Sequence, residues 1–213
     1  VDVPIVGDAK KSLQILHDTL INQLKKKKSS AWTKRIKEAK EQLKLAANSD
    51  TKDLKPQTLL PELRKLLPED AIVTTEVGQN QMWTAQFYKF DKPRTLLTSG
   101  GLGTMGYGFP AAIGAQIAHP NKLVIDIAGD GSIQMNSQEL ATAGINKLPV
   151  KVAILNNHCL GMVRQWQELF YDERYSHTNL QECQPDFMKI AEAYGLKGLT
   201  MSKPAEVEQT LKE

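Results

Sequence analysis

The sequence of 213 residues contains few of the features that mark several large classes of protein. Two cysteines, Cys159 and Cys183, cannot form a disulfide framework. The formal net charge is only +3, and no basic stretch is interleaved with aromatic residues, which argues against a nucleic-acid surface. No apolar run has membrane-spanning length, and no hydrophobic leader begins the sequence. We therefore expect an intracellular soluble protein without nucleic-acid or membrane partners.

The composition is that of an ordinary globular protein, with 41% hydrophobic and 24% charged residues. Its length suffices for one well-packed domain and an appendage. The sequence begins without Met in a strand-like run, Val1–Asp8, and it ends inside a helical pattern at Glu213. We expect it to be part of a longer chain.

Residues 1–48 are predicted to form a short strand and two amphipathic, lysine-rich helices. The run Lys25–Lys28 is interpreted as a solvated helix end rather than a binding patch. The polar segment Asn48–Asp53 is the best candidate for a linker. The apolar faces of the two helices consist of Leu13, Leu16, Leu20 and Leu24, and of Trp32, Ile36, Ala39, Leu43 and Ala46.

After residue 50 the pattern alternates between strands and helices. Predicted strands are Ala71–Thr75, Thr95–Thr98, Leu123–Ala128, Val150–Leu155 and, more weakly, Leu196–Thr200. Predicted helices are Leu59–Leu67, Gln79–Phe87, Phe109–Ala118, Ser137–Ile145, Gly161–Phe170 and Asp186–Tyr194. Several strands are apolar on both faces, as a parallel sheet covered by helices requires. The fold class is therefore α/β, a doubly wound parallel sheet with helices on both faces.

Two predicted strand ends can approach a phosphate group. Val77–Asn80 follows the first strand, and Gly129–Ser132 follows the third. Glycine allows close approach of the main chain, and N–H groups at a helix start bind anions. A carboxylate such as Asp130 would repel a phosphate directly, but a magnesium ion between them removes that conflict.

A second oxygen ligand for the ion is available at the next strand end. Asn157 lies 27 residues after Asp130, enough for one helix and one strand to return to the same edge of the sheet. The sequence Gly129-Asp130-Gly131 followed by Asn156-Asn157 resembles the cofactor signature of thiamine-diphosphate enzymes. The fold of that family is a thiamine diphosphate-binding α/β domain, in agreement with the predicted sheet.

A dinucleotide-binding interpretation competes with this one. The segment Gly101–Gly106 fits G-x-G-x-x-G between a strand and a helix, and Asp126 follows 20 residues after Gly106. However, Asp126 lies inside an apolar run rather than at its end. This alternative also leaves Asp130 and Asn157 unexplained.

Further segments narrow the resemblance to the catalytic subunits of acetohydroxyacid (acetolactate) synthases. Residues 1–50 resemble the end of that family's middle domain with its linker, and residues 51–213 resemble its diphosphate-binding domain, truncated at its C-terminus. The segments that carry the resemblance are Gly100–Gly108, Gln134–Asn136, Gln138–Thr142 and Gly161–Gln167.

The resemblance implies a role for individual residues. Asp130 and Asn157 would bind Mg²⁺ together with the main-chain carbonyl of Cys159. Trp166 would favour 2-ketobutyrate over pyruvate as second substrate, whereas its helical spacing alone would make it and Met162 core residues. The residues implied for the cofactor are Val77, Gly78, Gln79, Asn80, Gly103, Met105, Gly131, Ser132, Leu160, Gly161 and Met162, and those facing the substrate are Met162, Val163 and Trp166.

The implied activity is decarboxylation of pyruvate and its ligation to a second 2-keto acid. FAD, a homodimer or larger homo-oligomer, and a regulatory small subunit are implied as well, with a cytoplasmic, plastid or mitochondrial location. The alternatives are a related thiamine-diphosphate decarboxylase or oxidase, and a non-catalytic cofactor-binding module. The family's catalytic glutamate belongs to an N-terminal domain, so these residues alone are expected to be inactive.

Some residues depart from the family's pattern or invite another role. Asn80 stands where the family usually has His, which puts any side-chain contact there in doubt. We interpret His158 as an exposed loop residue rather than a general base. Glu139 is assigned to the start of a helix, and no base is identifiable that would make Cys159 a nucleophile.

Overall fold

The computed structural model describes residues 1–24, 30–43 and 53–213. The chain divides into two compact units, Val1–Ala46 and Ala47–Glu213. The predicted lysine run lies outside the described residues, and so does the predicted linker except for Asp53. Among the described residues, none of the helices combines the length and the apolar character needed to cross a bilayer.

The first unit contains two helices, α1 (Ala9–Gln23) and α2 (Ala31–Gln42), as predicted. Each begins at a residue whose side chain accepts a main-chain N–H: Asp8 caps α1 and Ser30 caps α2. The large apolar side chains of both predicted faces are exposed, whereas Ala46 lies outside the described residues; the exposed ones are Leu13, Leu16, Leu20, Leu24, Trp32, Ile36 and Leu43. The predicted strand at residues 1–8 is wrong, since this segment has no strand partner among the described residues.

The second unit alternates strands and helices along the chain. Its strands are β1 (Ile72–Thr75), β2 (Leu96–Thr98), β3 (Val124–Gly129) and β4 (Lys151–Leu155). Its α-helices are α3 (Pro56–Leu66), α4 (Gln79–Phe87), α5 (Gly108–Ala118), α6 (Glu139–Ile145), α7 (Gly161–Phe170), α8 (Phe187–Ala193) and α9 (Val207–Lys212). Short 3-10 helices occupy Ile133–Asn136 and Pro204–Glu206.

The four strands form one parallel sheet in the order β2-β1-β3-β4. In the centre of the sheet Thr74 is aligned with Asp126, and in the next pair Ala128 is aligned with Ile154. Parallel strands buried on both faces need apolar side chains on both, and β1 and β3 are buried throughout except at Gly129. The predicted α/β class is confirmed.

Helices cover both faces of this sheet. On one face, Val73, Ile125 and Ile127 pack with residues of α3 and α4. On the other, Ile72, Val124 and Ala128 pack in clusters that contain residues of α5 and α6. Alternate residues of one strand therefore contribute to opposite cores. The strands are fixed in register from both sides, which holds their carboxyl ends in place.

The predicted strand at Leu196–Thr200 is wrong. Leu196 donates its N–H to the carbonyl of Ala191 at 2.8 Å, so this segment turns back along α8 instead of joining the sheet. Gly198 lies so close to Met188 that an added Cβ would be 2.7 Å from its Cε atom. Packing against the helix replaces the strand pairing that the apolar run indicates.

Candidate functional site

The strand order creates a switch point between β1 and β3. From β1 the chain moves outward to β2, then crosses back to β3 on the other side and continues to β4. The loops after β1 and β3 therefore leave the sheet in different directions and open a crevice at its carboxyl edge. In open α/β sheets this is where ligands bind.

A pocket of about 150 Å³ lies at this crevice. It brings together all the residues that the sequence assigned to the cofactor and the metal, and it excludes only Trp166 of the predicted site residues. Its lining residues are Val77, Gly78, Gln79, Asn80, Trp83, Gly103, Met105, Gly129, Asp130, Gly131, Ser132, Leu155, Asn157, Cys159, Leu160, Gly161, Met162 and Val163.

The turn after β1 is shaped by a glycine and fixed by an amide. Gly78 precedes α4 with φ 139°, a conformation that a residue with a side chain rarely adopts. Asn80, in the first turn of α4, is buried and donates its Nδ2 to the carbonyl of Ile127 in β3 at 2.9 Å. The helix start is thereby tied to the neighbouring strand, with Val77 and Gly78 facing the pocket.

Asp130 is the charged group of the pocket, and it is buried. Its carboxylate accepts hydrogen bonds from the main-chain N–H of Gly131 at 3.1 Å and from Nε2 of Gln184 at 2.7 Å. Burial raises the pKa of Asp130 above its usual value, and these donors only partly offset it. A cation beside the carboxylate would favour its ionised form.

Asn157 lies on the opposite side of the crevice, in the loop after β4. Its Oδ1 accepts the N–H of Cys159 at 3.3 Å, and its Nδ2 donates to Oε1 of Gln79 at 3.3 Å. Gln79 also donates to Oε1 of Gln165 at 3.2 Å. One amide side chain therefore links the start of α4 with the loop after β4 and with α7.

The loop after β4 is held by an antiparallel bridge between Cys159 and Asn179. The hydrogen bonds belong to the flanking residues: Leu160 donates to Thr178, and Leu180 donates to His158. Because main-chain groups alternate in direction along an extended segment, the Cys159 carbonyl is directed away from Asn179. Burial raises the pKa of the Cys159 thiol, which makes it a poor nucleophile.

Two further glycines form a cradle with no room for a side chain. A Cβ on Gly131 would lie 2.5 Å from Cδ2 of Leu160, and one on Gly161 would lie 2.1 Å from Oε1 of Gln79. Close main-chain approach beside a helix start suits a diphosphate. One carboxylate, one amide oxygen and a main-chain carbonyl are hard donors that suit Mg²⁺. The residues present therefore fit both groups.

No three His, Cys, Asp or Glu side chains are grouped as a metal site anywhere in residues 1–24, 30–43 and 53–213. The oxygen atoms that could bind a metal in the pocket therefore include those of one carboxylate, Asp130. A metal bound there would take its remaining ligands from main-chain oxygens, from water or from a phosphorylated ligand.

The residues predicted to face the substrate lie along α7. Met162 and Val163 line the pocket, and together with Trp166 they also line an open depression beside it. Trp166 is 58% exposed and its ring contacts that of Phe170 with 5.4 Å between centroids. It is not a core residue of the described chain, contrary to what its helical spacing alone would indicate.

Two other residues are where we expected them. His158 is exposed in the loop, with φ 57°. Glu139 is in the first turn of α6, where its Oε2 accepts a hydrogen bond from Thr142 Oγ1 at 2.8 Å. Neither faces the pocket.

Gln184 and Trp83 belong to the site without having been predicted from the sequence. Gln184 donates to Oδ2 of Asp130 and, at 3.0 Å, to Oδ1 of Asn156, so it joins the two strand ends. It is 54 residues from Asp130, and no local pattern signals such a contact. Trp83 lines the pocket one helical turn after Gln79, and that spacing in α4 could have identified it.

Comparison with known proteins assigns the class. Residues 76–213 match the family model described as "Thiamine pyrophosphate enzyme, C-terminal TPP binding domain". The matched residues include every residue that lines the pocket. The chain therefore belongs to the thiamine pyrophosphate enzymes, and the competing dinucleotide-binding interpretation is wrong.

The similar proteins of known name are more specific. The chain is 49% identical over 218 residues to the "Probable acetolactate synthase large subunit" of Methanocaldococcus jannaschii, covering all of this chain and 36% of that protein. It is 47% identical to the acetolactate synthase large subunit of Porphyra purpurea, covering 99% of this chain and 36% of the relative. It is 44% identical to the acetolactate synthase isozyme 3 large subunit of Escherichia coli K12, covering 100% of this chain and 37% of the relative. The chain thus spans little more than a third of these relatives.

Proposed function

We propose that this chain supplies the metal- and diphosphate-binding part of an acetolactate synthase. The observation that carries the proposal is the pocket at the switch point, where the ends of β1, β3 and β4 meet around Asp130 and Asn157. The relatives are named as large subunits of this enzyme, which supports the same activity for the intact protein that carries these residues.

Within this proposal each strand end has its own task. Asp130, Asn157 and the Cys159 carbonyl hold Mg²⁺. The diphosphate lies along Val77–Asn80, Gly131, Ser132, Leu160 and Gly161. Gly103 and Met105 would receive the aminopyrimidine, with the Met105 side chain against the cofactor, and Met162 would adjoin it. When bound, thiamine diphosphate supplies the electron sink that decarboxylation of a 2-keto acid requires.

The substrates of the proposal are pyruvate and a second 2-keto acid. Pyruvate as acceptor gives 2-acetolactate, and 2-ketobutyrate gives 2-aceto-2-hydroxybutyrate, which are steps towards branched-chain amino acids. The apolar wall that faces the acceptor consists of Met162, Val163 and Trp166. The two acceptors differ by one methylene, which this wall would contact. FAD, a homo-oligomer that completes the site, and a regulatory small subunit belong to the same proposal, the last because the relatives are named large subunits.

A product assay tests the activity. The intact protein is supplied with pyruvate, thiamine diphosphate, Mg²⁺ and FAD, and acetolactate is expected. Acetaldehyde or acetyl phosphate as the main product would favour a related decarboxylase or oxidase. Cofactor binding without any turnover would favour a non-catalytic module.

The metal assignment is tested at Asp130. Asp130→Ala is expected to abolish Mg²⁺-dependent binding of thiamine diphosphate, because it removes the only charged ligand in the proposed set. Isothermal titration calorimetry with and without Mg²⁺ measures this. Asp70→Ala serves as the control, since Asp70 precedes β1 at the opposite edge of the sheet and pairs with Lys122. Unchanged affinity in Asp130→Ala would contradict the assignment.

A further inference from the structure

The segment Gly103–Gly106 reaches the pocket without belonging to a strand or a helix. Gly103 and Met105 line the pocket, whereas Gly106 lies behind them and just before α5. Gly103 and Gly106 have φ angles of 71° and 87°, which residues with side chains rarely adopt. Such a turn needs contacts from elsewhere to keep one conformation.

Glu76 supplies the first of these contacts. It directly follows β1 and is fully buried. Its Oε2 accepts the N–H of Gly106 at 2.7 Å, and its Oε1 accepts the N–H of Phe109 at 3.0 Å. The residue at the start of α5, Tyr107, provides no side-chain cap, so a carboxylate from a neighbouring strand takes that role.

Asn136 supplies the second contact from the other side. It ends the 3-10 helix that follows the Asp130 loop, and its Nδ2 donates to the carbonyl of Gly106 at 2.6 Å. A Cβ on Gly106 would lie 2.7 Å from that Nδ2 atom. Gln134 in the same 3-10 helix donates to the carbonyl of Asp130 at 2.7 Å, so the Asp130 loop and the Gly106 turn are joined.

We propose that Glu76 and Asn136 are positioning residues. Their hydrogen bonds to the N–H and the carbonyl of Gly106 fix this turn and thereby orient Gly103 and Met105 towards the cofactor. Neither Glu76 nor Asn136 lines the pocket, so both act through the main chain of Gly106. This inference rests on the proposed function, because it concerns the end of the cofactor that Gly103 and Met105 receive. The metal end, at Asp130 and Asn157, keeps its own contacts.

The test changes contacts near the aminopyrimidine end of the cofactor and leaves the metal-binding end unchanged. Glu76→Gln keeps the side-chain size but leaves one oxygen for two N–H donors. Asn136→Asp keeps the shape but places an oxygen against the Gly106 carbonyl. In the intact protein each variant is expected to bind thiamine diphosphate with Mg²⁺ about tenfold more weakly by calorimetry, the size typical of a lost hydrogen bond to a charged or buried group. Near-ultraviolet circular dichroism of the bound cofactor is expected to change, because it reports the surroundings of the aminopyrimidine.

A matched control is available in the same 3-10 helix region. Gln138 donates to Oδ1 of Asn136 at 3.1 Å and is exposed, so Gln138→Ala removes a contact of Asn136 but leaves its bond to Gly106. This variant is expected to bind the cofactor as the unaltered protein does. Thermal unfolding of every variant identifies any that fails to fold. Asn136, which is only half-buried, provides the test if Glu76→Gln does not fold.

The outcomes distinguish this inference from the proposed function. If the unaltered protein binds thiamine diphosphate and both folded variants bind it with equal affinity and an unchanged dichroism spectrum, the positioning role is overturned. The role is also overturned if Glu76→Asp, which keeps a carboxylate, binds the cofactor as weakly as Glu76→Gln, and if a higher cofactor concentration does not saturate Glu76→Gln. The effect of Glu76→Gln would then be structural. If the unaltered protein binds no thiamine diphosphate, the proposed function itself fails.

Discussion

The side chain of Asn80 has a structural role at a position where the resemblance implies contact with the cofactor. Its amide donates to the Ile127 carbonyl, which also accepts the N–H of Glu76 at 3.1 Å. The contact holds the start of α4 against β3 and leaves Val77 and Gly78 facing the pocket. Asn80 can therefore shape the pocket at this point, where the resemblance leads us to expect His.

Trp166 is the residue on which we expect the choice of second substrate to depend. In the intact protein, Trp166→Leu should lower the preference for 2-ketobutyrate over pyruvate. An indole wall that contacts one extra methylene is worth about 1–3 kcal/mol, or roughly 10- to 200-fold in the ratio of kcat/KM values. Competition between the two acceptors measures the ratio.

Leu169→Ala provides the comparison for that experiment. Leu169 lies on the same helix and is exposed, but it lines neither the pocket nor the depression. Its substitution should leave the ratio unchanged. A Trp166 variant that behaves in the same way would remove the substrate-facing role of the indole.

At the scale of the elements, the sheet holds a pair of buried acidic residues, Asp126 in β3 and Glu76 directly after β1. Asp126 in β3 is fully buried, and its Oδ1 accepts a hydrogen bond from Thr74 Oγ1 at 2.9 Å, while its Oδ2 has no partner. Burial and then the charge of Glu76 raise the pKa of Asp126 well above its usual value. A proton on Asp126 in the folded protein is therefore favoured relative to the unfolded chain.

The sign of the resulting pH dependence can be worked out. A carboxyl whose pKa is higher in the folded state adds stability below its unfolded pKa, about 3.9, and this is lost as pH rises through the folded pKa. Asp126→Asn cannot titrate. The free energy of unfolding of this variant minus that of the unaltered protein should therefore become more positive as pH rises above about 4.

Urea unfolding at several pH values measures this difference. Asp91→Asn is the control: Asp91 is partly exposed near Lys89 and Arg64, which hold its pKa below the usual value. Its contribution is lost only as pH falls, so the difference should stay constant above about pH 5. A constant difference for Asp126→Asn as well would show that Asp126 does not titrate in this range.

The elements also show what could be predicted from the sequence and why. The four strands and the helices between them were placed within a few residues, because strands buried on both faces give short apolar runs between glycines and helix starts. The same signal failed at Leu196–Thr200, where an apolar run packs on α8. Strand pairing depends on a partner, and local sequence does not show whether one is available.

The residues of the candidate site also fall into those that could be predicted from the sequence and those that could not. Residues directly after strands, such as Asp130 and Asn157, were placed together because parallel strands share one carboxyl edge. Gln184 and Asn136 contact the site or its turns from segments whose paths are fixed by tertiary packing. Glu76 directly follows β1, but the turn that it contacts at Gly106 lies 30 residues away. No spacing in the sequence gives these contacts.

At the scale of the whole molecule, the chain spans 36% of the relatives from Methanocaldococcus jannaschii and Porphyra purpurea. The resemblance places the glutamate that activates the cofactor in a part of the enzyme outside these residues. We therefore expect the purified 213-residue chain to make no acetolactate from pyruvate, even with saturating thiamine diphosphate, Mg²⁺ and FAD.

A colorimetric acetolactate assay checks this expectation, with the intact protein as the positive control. Calorimetry on the same sample shows whether cofactor binding persists without turnover. Measurable acetolactate from the 213 residues alone would mean that they contain a complete site.

The order β2-β1-β3-β4 also has a consequence for how the chain folds. Thr74 and Asp126 meet across 52 residues, and Gln184 and Asp130 meet across 54. Contacts between residues so far apart form slowly, because the entropy of closing long loops is lost before the contacts compensate for it. The crevice exists only once β1, β3 and β4 are side by side, so cofactor binding should be among the last properties to appear during refolding. The ligand would then report a finished sheet rather than help to nucleate one.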